Sequence, residues 1–147
     1  RRYDTSLRKE DSSIPKVYLD DIGFLNLFSR DDLGRRLENM LFLELMRRAT
    51  DDPLLSVNYW RSRDDKEVDF LISRSGTPGC AIQVCAHLSD ATVKDREMQA
   101  LMQCAEYFGL TEATIVTDDE EYVESVGGVT VTVVPAWKFM LEARGLL

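Results

Sequence analysis

The sequence has few residues of the kinds that build zinc sites or disulfide frameworks. Three cysteines and one histidine occur among 147 residues, and no C-x-x-C pair is present, which argues against structural zinc. Cys80, Cys85 and Cys104 have apolar sequence neighbours and do not follow framework spacings. This usage favours reduced, buried thiols and a cytoplasmic location.

The sequence also lacks a segment able to cross a bilayer. The uncharged stretch Cys80–Ser89 is too short for a spanning helix and includes Gln83 and His87. The N-terminal residues do not form the basic and apolar blocks of a signal peptide. Because no spanning segment is present, we expect no membrane partner. The first residue is Arg1 and not methionine, so we interpret the sequence as a fragment or a processed chain.

Two further absences concern nucleotides and nucleic acids. No G-x-x-x-x-G-K-[ST] motif occurs, so we do not expect this chain itself to hydrolyse ATP. The net charge is −8, opposite in sign to domains that hold nucleic acid by neutralising phosphates. Residues 1–50 carry a net charge of +1 and residues 51–147 carry −9. Any contact with nucleic acid would therefore depend on local basic clusters.

The residues that are present fit one folded domain. The hydrophobic fraction is 44% and the charged fraction 30%, which excludes disordered and collagen-like classes. A chain of this length can bury one core. Residues 1–15 are polar and end at Pro15, so we interpret them as a linker or the tail of a preceding domain. Residues 16–147 are expected to form one α/β domain.

Apolar periodicity predicts the order of the secondary-structure elements. A short strand is expected at 16–19, then a turn and a short apolar helix or turn at 24–28. Longer strands are expected at 55–61, 67–73, 80–86, 112–117 and 129–134, and helices at 32–49, 90–108 and 136–143. The turn-rich segment 73–79 predicts a hairpin. This order predicts a mixed β-sheet flanked by helices.

Helix caps can be predicted from short polar side chains at the helix starts. Asp31 or Asp32 is expected to cap the first long helix, and Ser89 or Thr92 the second. Gly109 follows the second helix at a position that favours a left-handed backbone.

Three oxygen-bearing side chains interrupt or border these apolar patterns. Glu38 lies at the edge of a helical apolar stripe, Asp69 lies in an apolar strand, and Gln83 lies in the following strand. A buried carboxylate is costly unless it binds something, and such oxygens are ligands that Mg²⁺ favours. Two other interpretations stay open: Asp69 as a hydrogen-bonded strand residue, and Glu38 as the partner of an arginine such as Arg35.

Several short motifs occur in one register from about Lys16 to the C-terminal end. They are Lys16-Val17-Tyr18-Leu19-x-Asp21-x-Gly23, Gly34-x-x-x-Glu38-Asn39-x-x-Phe42-x-Glu44-Leu45, Tyr59-Trp60-Arg61, Glu67-Val68-Asp69-Phe70, Ile82-Gln83-Val84-Cys85 and Pro135-Ala136-Trp137-Lys138. In this combination the chain resembles the carboxy-terminal domain of archaeal-type predicted AAA+ ATPases. The resemblance implies a restriction-endonuclease-like fold of the PD-(D/E)xK class, preceded in the same polypeptide by an ATPase module and a winged-helix domain.

The same resemblance implies roles for four residues. Glu38 resembles the helical acidic residue of the nuclease site, and Asp69 resembles its central metal-binding aspartate. Gln83 occupies the (D/E) position and Cys85 the lysine position. Glu38, Asp69 and Gln83 would hold Mg²⁺, weakly because Gln83 carries no charge. Cys85 cannot supply the ammonium that positions water and offsets phosphate charge.

Three other residues have two interpretations each. Lys94 or Arg96 supplies the missing ammonium from the helix that follows, or both are solvated helix charges. His87 is a proton-transfer group or an ordinary residue at the end of a strand.

The sequence thus leaves more than one function open. We favour a nuclease-fold module of a larger AAA+ ATPase, catalytically degraded and acting in recognition, regulation or assembly. The alternative is a metal-dependent nuclease domain that cuts DNA or RNA. A third interpretation is a docking or oligomerisation domain that uses the apolar residues 24–28 and 146–147. The expected partner is the ATPase module; nucleic acid and a second copy of the chain are further candidates.

Overall fold

A mixed sheet forms the centre of the computed structural model, which describes residues 1–3, 15–21 and 32–142. Within these residues it has six strands in the order β1-β2-β3-β4-β6-β5. They are β1 (Leu55–Arg61), β2 (Glu67–Arg74), β3 (Thr77–Val84), β4 (Glu112–Thr117), β5 (Tyr122–Val126) and β6 (Val129–Pro135). β3, β4 and β6 run parallel, and the remaining neighbours pair antiparallel.

Helices cover both faces of this sheet. They are α1 (Leu33–Asp51), α2 (Ala91–Phe108) and α3 (Ala136–Glu142). Apolar residues of α1 and α3 pack on one face, against side chains such as Phe70 and Ile82. α2 packs on the other face, against side chains such as Leu71 and Ala81. The predicted mixed sheet flanked by helices is therefore confirmed, and its central strands are buried on both sides.

The helix ends agree with the sequence at two of three positions. Asp32 caps α1, since its side chain accepts a hydrogen bond from the Arg35 backbone N–H at 3.0 Å. Gly109 ends α2 with a φ of +68°, in the left-handed region. The prediction of Ser89 or Thr92 as the cap of α2 is wrong. Asp90 takes that position, because its carboxylate accepts from two backbone N–H groups of the first turn.

The strand predicted at 16–19 does not form; residues 15–21 have no regular structure. The Asn39 side chain on α1 provides the hydrogen bonds that a neighbouring strand would give. Its Oδ1 accepts from the Leu19 N–H and its Nδ2 donates to the Leu19 carbonyl, both at 2.8 Å. The outer edge of β1 pairs instead with Arg1 and Tyr3, which hydrogen-bond to the Tyr59 backbone. These first residues lie in the segment that the sequence predicted to be a linker.

Two strands, β5 and β3, differ most from the prediction. β5 was missed: it is an edge strand with a partly exposed, polar sequence, joined to β6 by the Gly127–Gly128 turn, in which both glycines have positive φ. β3 begins at Thr77 and ends at Val84, whereas the sequence predicted a strand at 80–86. Cys85, which was expected inside the strand, therefore lies just after its end, and so does His87.

Some predicted features lie outside the described residues. These are the apolar segment 24–28, the turn residue Gly23 and the terminal residues 146–147. Within the described ranges, none of the helices combines the length and apolar character that crossing a membrane requires.

Candidate functional site

A β-bulge in β2 sets the direction of Asp69. Asn58 of β1 pairs with Leu71, but Trp60 pairs with Val68. Two residues of β2, Asp69 and Phe70, therefore lie opposite a single residue of β1. The extra residue breaks the regular alternation of side chains, as bulges do. Val68 packs on the α2 face, whereas Phe70 packs on the α1 face and the Asp69 carboxylate is brought towards α1.

The Asp69 carboxylate is buried, and each of its two oxygens accepts a hydrogen bond. Its Oδ1 accepts from the Lys16 ammonium at 2.8 Å, and its Oδ2 accepts from the Val84 backbone N–H at 3.0 Å. Burial, followed by the charge of Glu38, raises the pKa of Asp69 to about 6, although Lys16 acts in the opposite direction. The bond to Val84 also ties β2 to the end of β3.

Lys16 joins three carboxylates from two elements. Its Nζ lies 3.0 Å from Glu38 on α1, and 2.8 Å from both Glu67 and Asp69 on β2. Burial alone would lower the pKa of Lys16, but the charges of Asp69 and Glu38 outweigh it and the pKa is raised. The ammonium therefore stays protonated. We call Lys16, Glu38, Glu67 and Asp69 the carboxylate cluster.

The segment 15–21, which we call the strap, holds Lys16 in this position. The Tyr18 ring stacks on Phe42 of α1, with centroids 4.0 Å apart, and its hydroxyl donates to Glu38 at 2.8 Å. Burial and the charge of Glu38 raise the pKa of Tyr18, so its hydroxyl remains a donor. Together with the two bonds from Asn39 to Leu19, these contacts fix the strap against α1.

The Gln83 side chain contacts the backbone N–H of Asp69 and not the Asp69 carboxylate. Its Oε1 accepts from the Asp69 N–H at 3.2 Å, and its Nε2 donates to Glu97 of α2 at 2.6 Å. Glu97 is buried and also accepts from Arg96. The Gln83 side chain therefore connects β2 to α2, while the two carboxylates with which it was grouped meet at Lys16.

Cys85 lies away from the carboxylate cluster. It is half-buried beside the α2 core, and its thiol donates to the His87 carbonyl at 3.1 Å. Burial, followed by the charge of Glu97, raises the pKa of the Cys85 thiol. A neutral thiol in this position supplies no positive charge. The His87 side chain is exposed.

The cations proposed as substitutes for the missing lysine are bound elsewhere. Lys94 pairs with Glu124 on β5 at 2.9 Å, and Arg96 pairs with its neighbour Glu97. The alternative partner proposed for Glu38 is also wrong, because Arg35 pairs with the helix-capping Asp32 and Glu38 pairs with Lys16. The positive charge of this site comes from the strap instead.

Comparison with protein families places most of the described domain in one group. Residues 33–139, from the start of α1 into α3, match the domain of unknown function DUF4143. The chain belongs to the DUF4143 family. Domains of this family are typically found at the C-terminal end of AAA-ATPase-like proteins.

One curated relative matches nearly the whole chain. The uncharacterized protein MJ1544 of Methanocaldococcus jannaschii is 32% identical over 144 residues, which cover 92% of this chain. The chain spans 31% of the length of that relative. No solved structure matches the DUF4143 chain.

The structure thus brings together part of the predicted set and adds residues that the sequence analysis missed. Glu38 and Asp69 share the Lys16 ammonium; Gln83 contacts only the Asp69 backbone and Cys85 lies apart. Lys16 and Glu67 are each the first residue of a motif used for the family resemblance, but neither interrupts an apolar pattern. Glu97 does: it lies on the apolar face of α2, which is a signal for a buried partner.

Mg²⁺ does not fit this arrangement as it stands. Carboxylate oxygens are suitable ligands, but the ammonium of Lys16 lies at the point where they meet. A cavity of about 20 Å³ beside Lys16 and Asp69 has room for about one water, not for a hydrated divalent ion. Among the residues described, no group of three histidine, cysteine, aspartate or glutamate side chains is arranged to hold a metal.

Proposed function

We propose that this DUF4143 domain is a restriction-endonuclease-like C-terminal module of a larger AAA+ ATPase. In this proposal it acts in recognition, regulation or assembly and does not cut nucleic acid. Family membership and the threefold greater length of the archaeal relative support the first part. The mixed sheet with helices on both faces is compatible with that fold class.

The main observation in favour of a domain that does not cut nucleic acid is the position of Lys16. Phosphodiester hydrolysis of this class needs a metal ion, a positioned water and charge stabilisation in the transition state. Glu38 and Asp69 are the two carboxylates that the motif would offer a metal, and both already pair with the same ammonium. A divalent ion has to displace Lys16 before it can bind, so Mg²⁺ would bind weakly.

Cys85 and Gln83 weaken the site further. The loss of one preorganised charge-stabilising group costs about 10²–10³ in rate, and the Cys85 thiol is turned towards the His87 carbonyl. The Gln83 oxygen is used by the Asp69 N–H, and its amide faces Glu97. Gln83 is therefore not free to act as a metal ligand, and Cys85 is not placed to stabilise charge on the phosphate.

An assay of restored cleavage tests this proposal. The variant combines Cys85→Lys and Gln83→Glu with Lys16→Met, which removes the ammonium that a divalent ion would have to displace. It also includes Glu97→Gln, because a carboxylate at position 83 would otherwise face the Glu97 carboxylate. We expect no cleavage of plasmid or single-stranded substrates by the wild-type chain with Mg²⁺ or Mn²⁺, and metal-dependent cleavage by the fourfold variant. The control adds Asp69→Asn to the fourfold variant and should abolish that cleavage. Wild-type cleavage that Asp69→Asn abolishes would overturn the proposal.

One observation favours the second candidate, a metal-dependent nuclease. Lys16 places an ammonium 2.8 Å from Asp69, a charge that Cys85 cannot provide. If the strap supplies the missing lysine, the wild-type chain cuts nucleic acid, and Lys16→Met abolishes the cleavage. Lys94→Met, which removes an ammonium paired with Glu124, is the matched control and should leave the rate unchanged.

The regulatory role can be measured on the ATPase-containing polypeptide. We expect Asp69→Asn to leave ATP hydrolysis unchanged, because no bond-breaking step depends on this carboxylate. Deletion of the DUF4143 domain should change the ATPase rate or the assembly state. If deletion alters neither property, the domain has no regulatory or assembly role in that protein.

A further inference from the structure

The cation at the carboxylate cluster is part of the chain itself. Three carboxylates from α1 and β2 lie within 3.0 Å of the Lys16 ammonium, and Tyr18 adds a hydrogen bond to Glu38. We propose that Lys16 is the resident cation of this site, replacing the divalent ion of the fold class, and that the strap is the segment that places it there.

Lys16 and a divalent ion are alternatives to one another, because both need the same carboxylate oxygens. Without a cation, the partly buried carboxylates of Glu38, Glu67 and Asp69 would repel one another at a point largely removed from water. One ammonium with three donors satisfies one oxygen of each. Since it already touches all three, the space that a metal ion would need is filled by Nζ.

The strap places this ammonium by contacts that do not involve it. Tyr18 stacks on Phe42, and Asn39 bonds both backbone groups of Leu19. These contacts offset part of the entropy lost when an irregular segment becomes ordered. The charge of the cluster therefore depends on whether the strap is docked. With the strap in place the three carboxylates share one positive charge from Lys16, and with the strap removed they are left without it.

This inference rests on the proposed function, because a wild-type chain that cuts with a metal ion held by Asp69 would contradict both. It concerns the occupant of the cluster and predicts a competition between Lys16 and divalent ions. Its readouts are stability and metal-dependent NMR signals, so its failure is distinguishable from failure of the proposed function, which is judged by cleavage and ATP hydrolysis.

Thermal unfolding of the 147-residue chain tests the competition. In EDTA, Lys16→Met should lower the melting temperature by on the order of 10 °C, because it leaves buried charges unpaired. Added Mn²⁺ should raise the melting temperature of this variant and leave that of the wild type unchanged. The matched control is Lys94→Met, which removes the same charge from the Glu124 pair and should show neither effect.

Three results would overturn the inference. They are a Lys16→Met variant that unfolds like Lys94→Met, a Lys16→Met variant that Mn²⁺ fails to stabilise, and a wild-type chain that Mn²⁺ stabilises through Asp69. The third is recognised because Asp69→Asn would remove the effect.

A second measurement needs no variant and covers the case in which Lys16→Met does not fold. Paramagnetic Mn²⁺ broadens the NMR signals of nearby amides. In the wild-type chain we expect the backbone amides of Asp69 and Val84 to be broadened no more than those of α2. Selective broadening of these two amides would show that a divalent ion enters beside Lys16, which contradicts the inference.

Discussion

The Asp69 carboxylate accepts a hydrogen bond from the Val84 backbone N–H at 3.0 Å. The β2–β3 ladder ends at the pair Phe70 and Ile82, so at this point the side chain provides the acceptor that a backbone carbonyl would otherwise give. The bulge that turns Asp69 out of the regular alternation makes this bond possible. Asp69 therefore holds two strands together as well as contacting Lys16.

The dual role of Asp69 predicts a graded response to substitution. Asp69→Ala should lower the free energy of unfolding by about 3 kcal/mol, because it leaves the Lys16 ammonium and the Val84 N–H without this partner. Asp69→Asn keeps an acceptor for Val84 and should cost less. Urea denaturation followed by circular dichroism measures both. Equal losses for the two variants would show that the Val84 bond contributes nothing.

Gln83 cannot be changed to glutamate without cost. Its amide donates to the buried Glu97 carboxylate at 2.6 Å, so Gln83→Glu replaces a hydrogen bond with two facing carboxylates. We expect a loss of about 2 kcal/mol at neutral pH. Adding Glu97→Gln restores the hydrogen bond with its direction reversed, because the amide at position 97 then donates to the carboxylate at position 83. This second change should recover most of the loss. A double variant no more stable than Gln83→Glu alone would contradict this account.

Asn39 controls the docking of the strap. Asn39→Ala removes both hydrogen bonds to Leu19 and should cost about 2 kcal/mol. It should also speed trypsin cleavage after Lys16. Gln99→Ala, which removes an exposed amide from α2, is the control and should change neither property. Unaltered cleavage in Asn39→Ala would mean that the strap is held without Asn39.

Glu44 predicts a pH dependence away from the site. Hydrogen bonding from Arg47 lowers the pKa of Glu44 from its ordinary 4.5 to about 2. The folded state thus favours the ionised form, so this contribution is present above pH 4.5 and is lost as the pH falls towards 2. Glu44→Gln should cost about 1 kcal/mol at pH 7 and progressively less between pH 5 and pH 3. A pH-independent difference would contradict this.

Local sequence patterns were sufficient for most of the fold. Leu55–Arg61 and Glu112–Thr117 match their predicted strands at both ends, because each is a compact apolar run bounded by polar or turn residues. β5 was missed because an edge strand needs no continuous apolar run. The strand predicted at 16–19 does not form because a strand needs a neighbouring strand to pair with, whereas this segment lies against α1 and bonds to Asn39.

The site was less predictable because it depends on contacts that are distant in sequence. Glu38 and Asp69 could be selected as carboxylates in apolar patterns. Lys16 could not, since nothing in its own neighbours indicates that it lies between them. The bulge at Asp69 was also unpredictable from local alternation, and it decides which face of the sheet the carboxylate reaches.

The most direct test of the central claim is a cleavage assay of the wild-type chain and Asp69→Asn, side by side, on plasmid, single-stranded DNA and RNA with Mn²⁺. The account predicts that neither protein cuts any substrate, because Lys16 occupies the meeting point of Glu38 and Asp69 and no ammonium comes from Cys85. Cleavage by the wild type that is absent from Asp69→Asn would contradict it and identify an active nuclease.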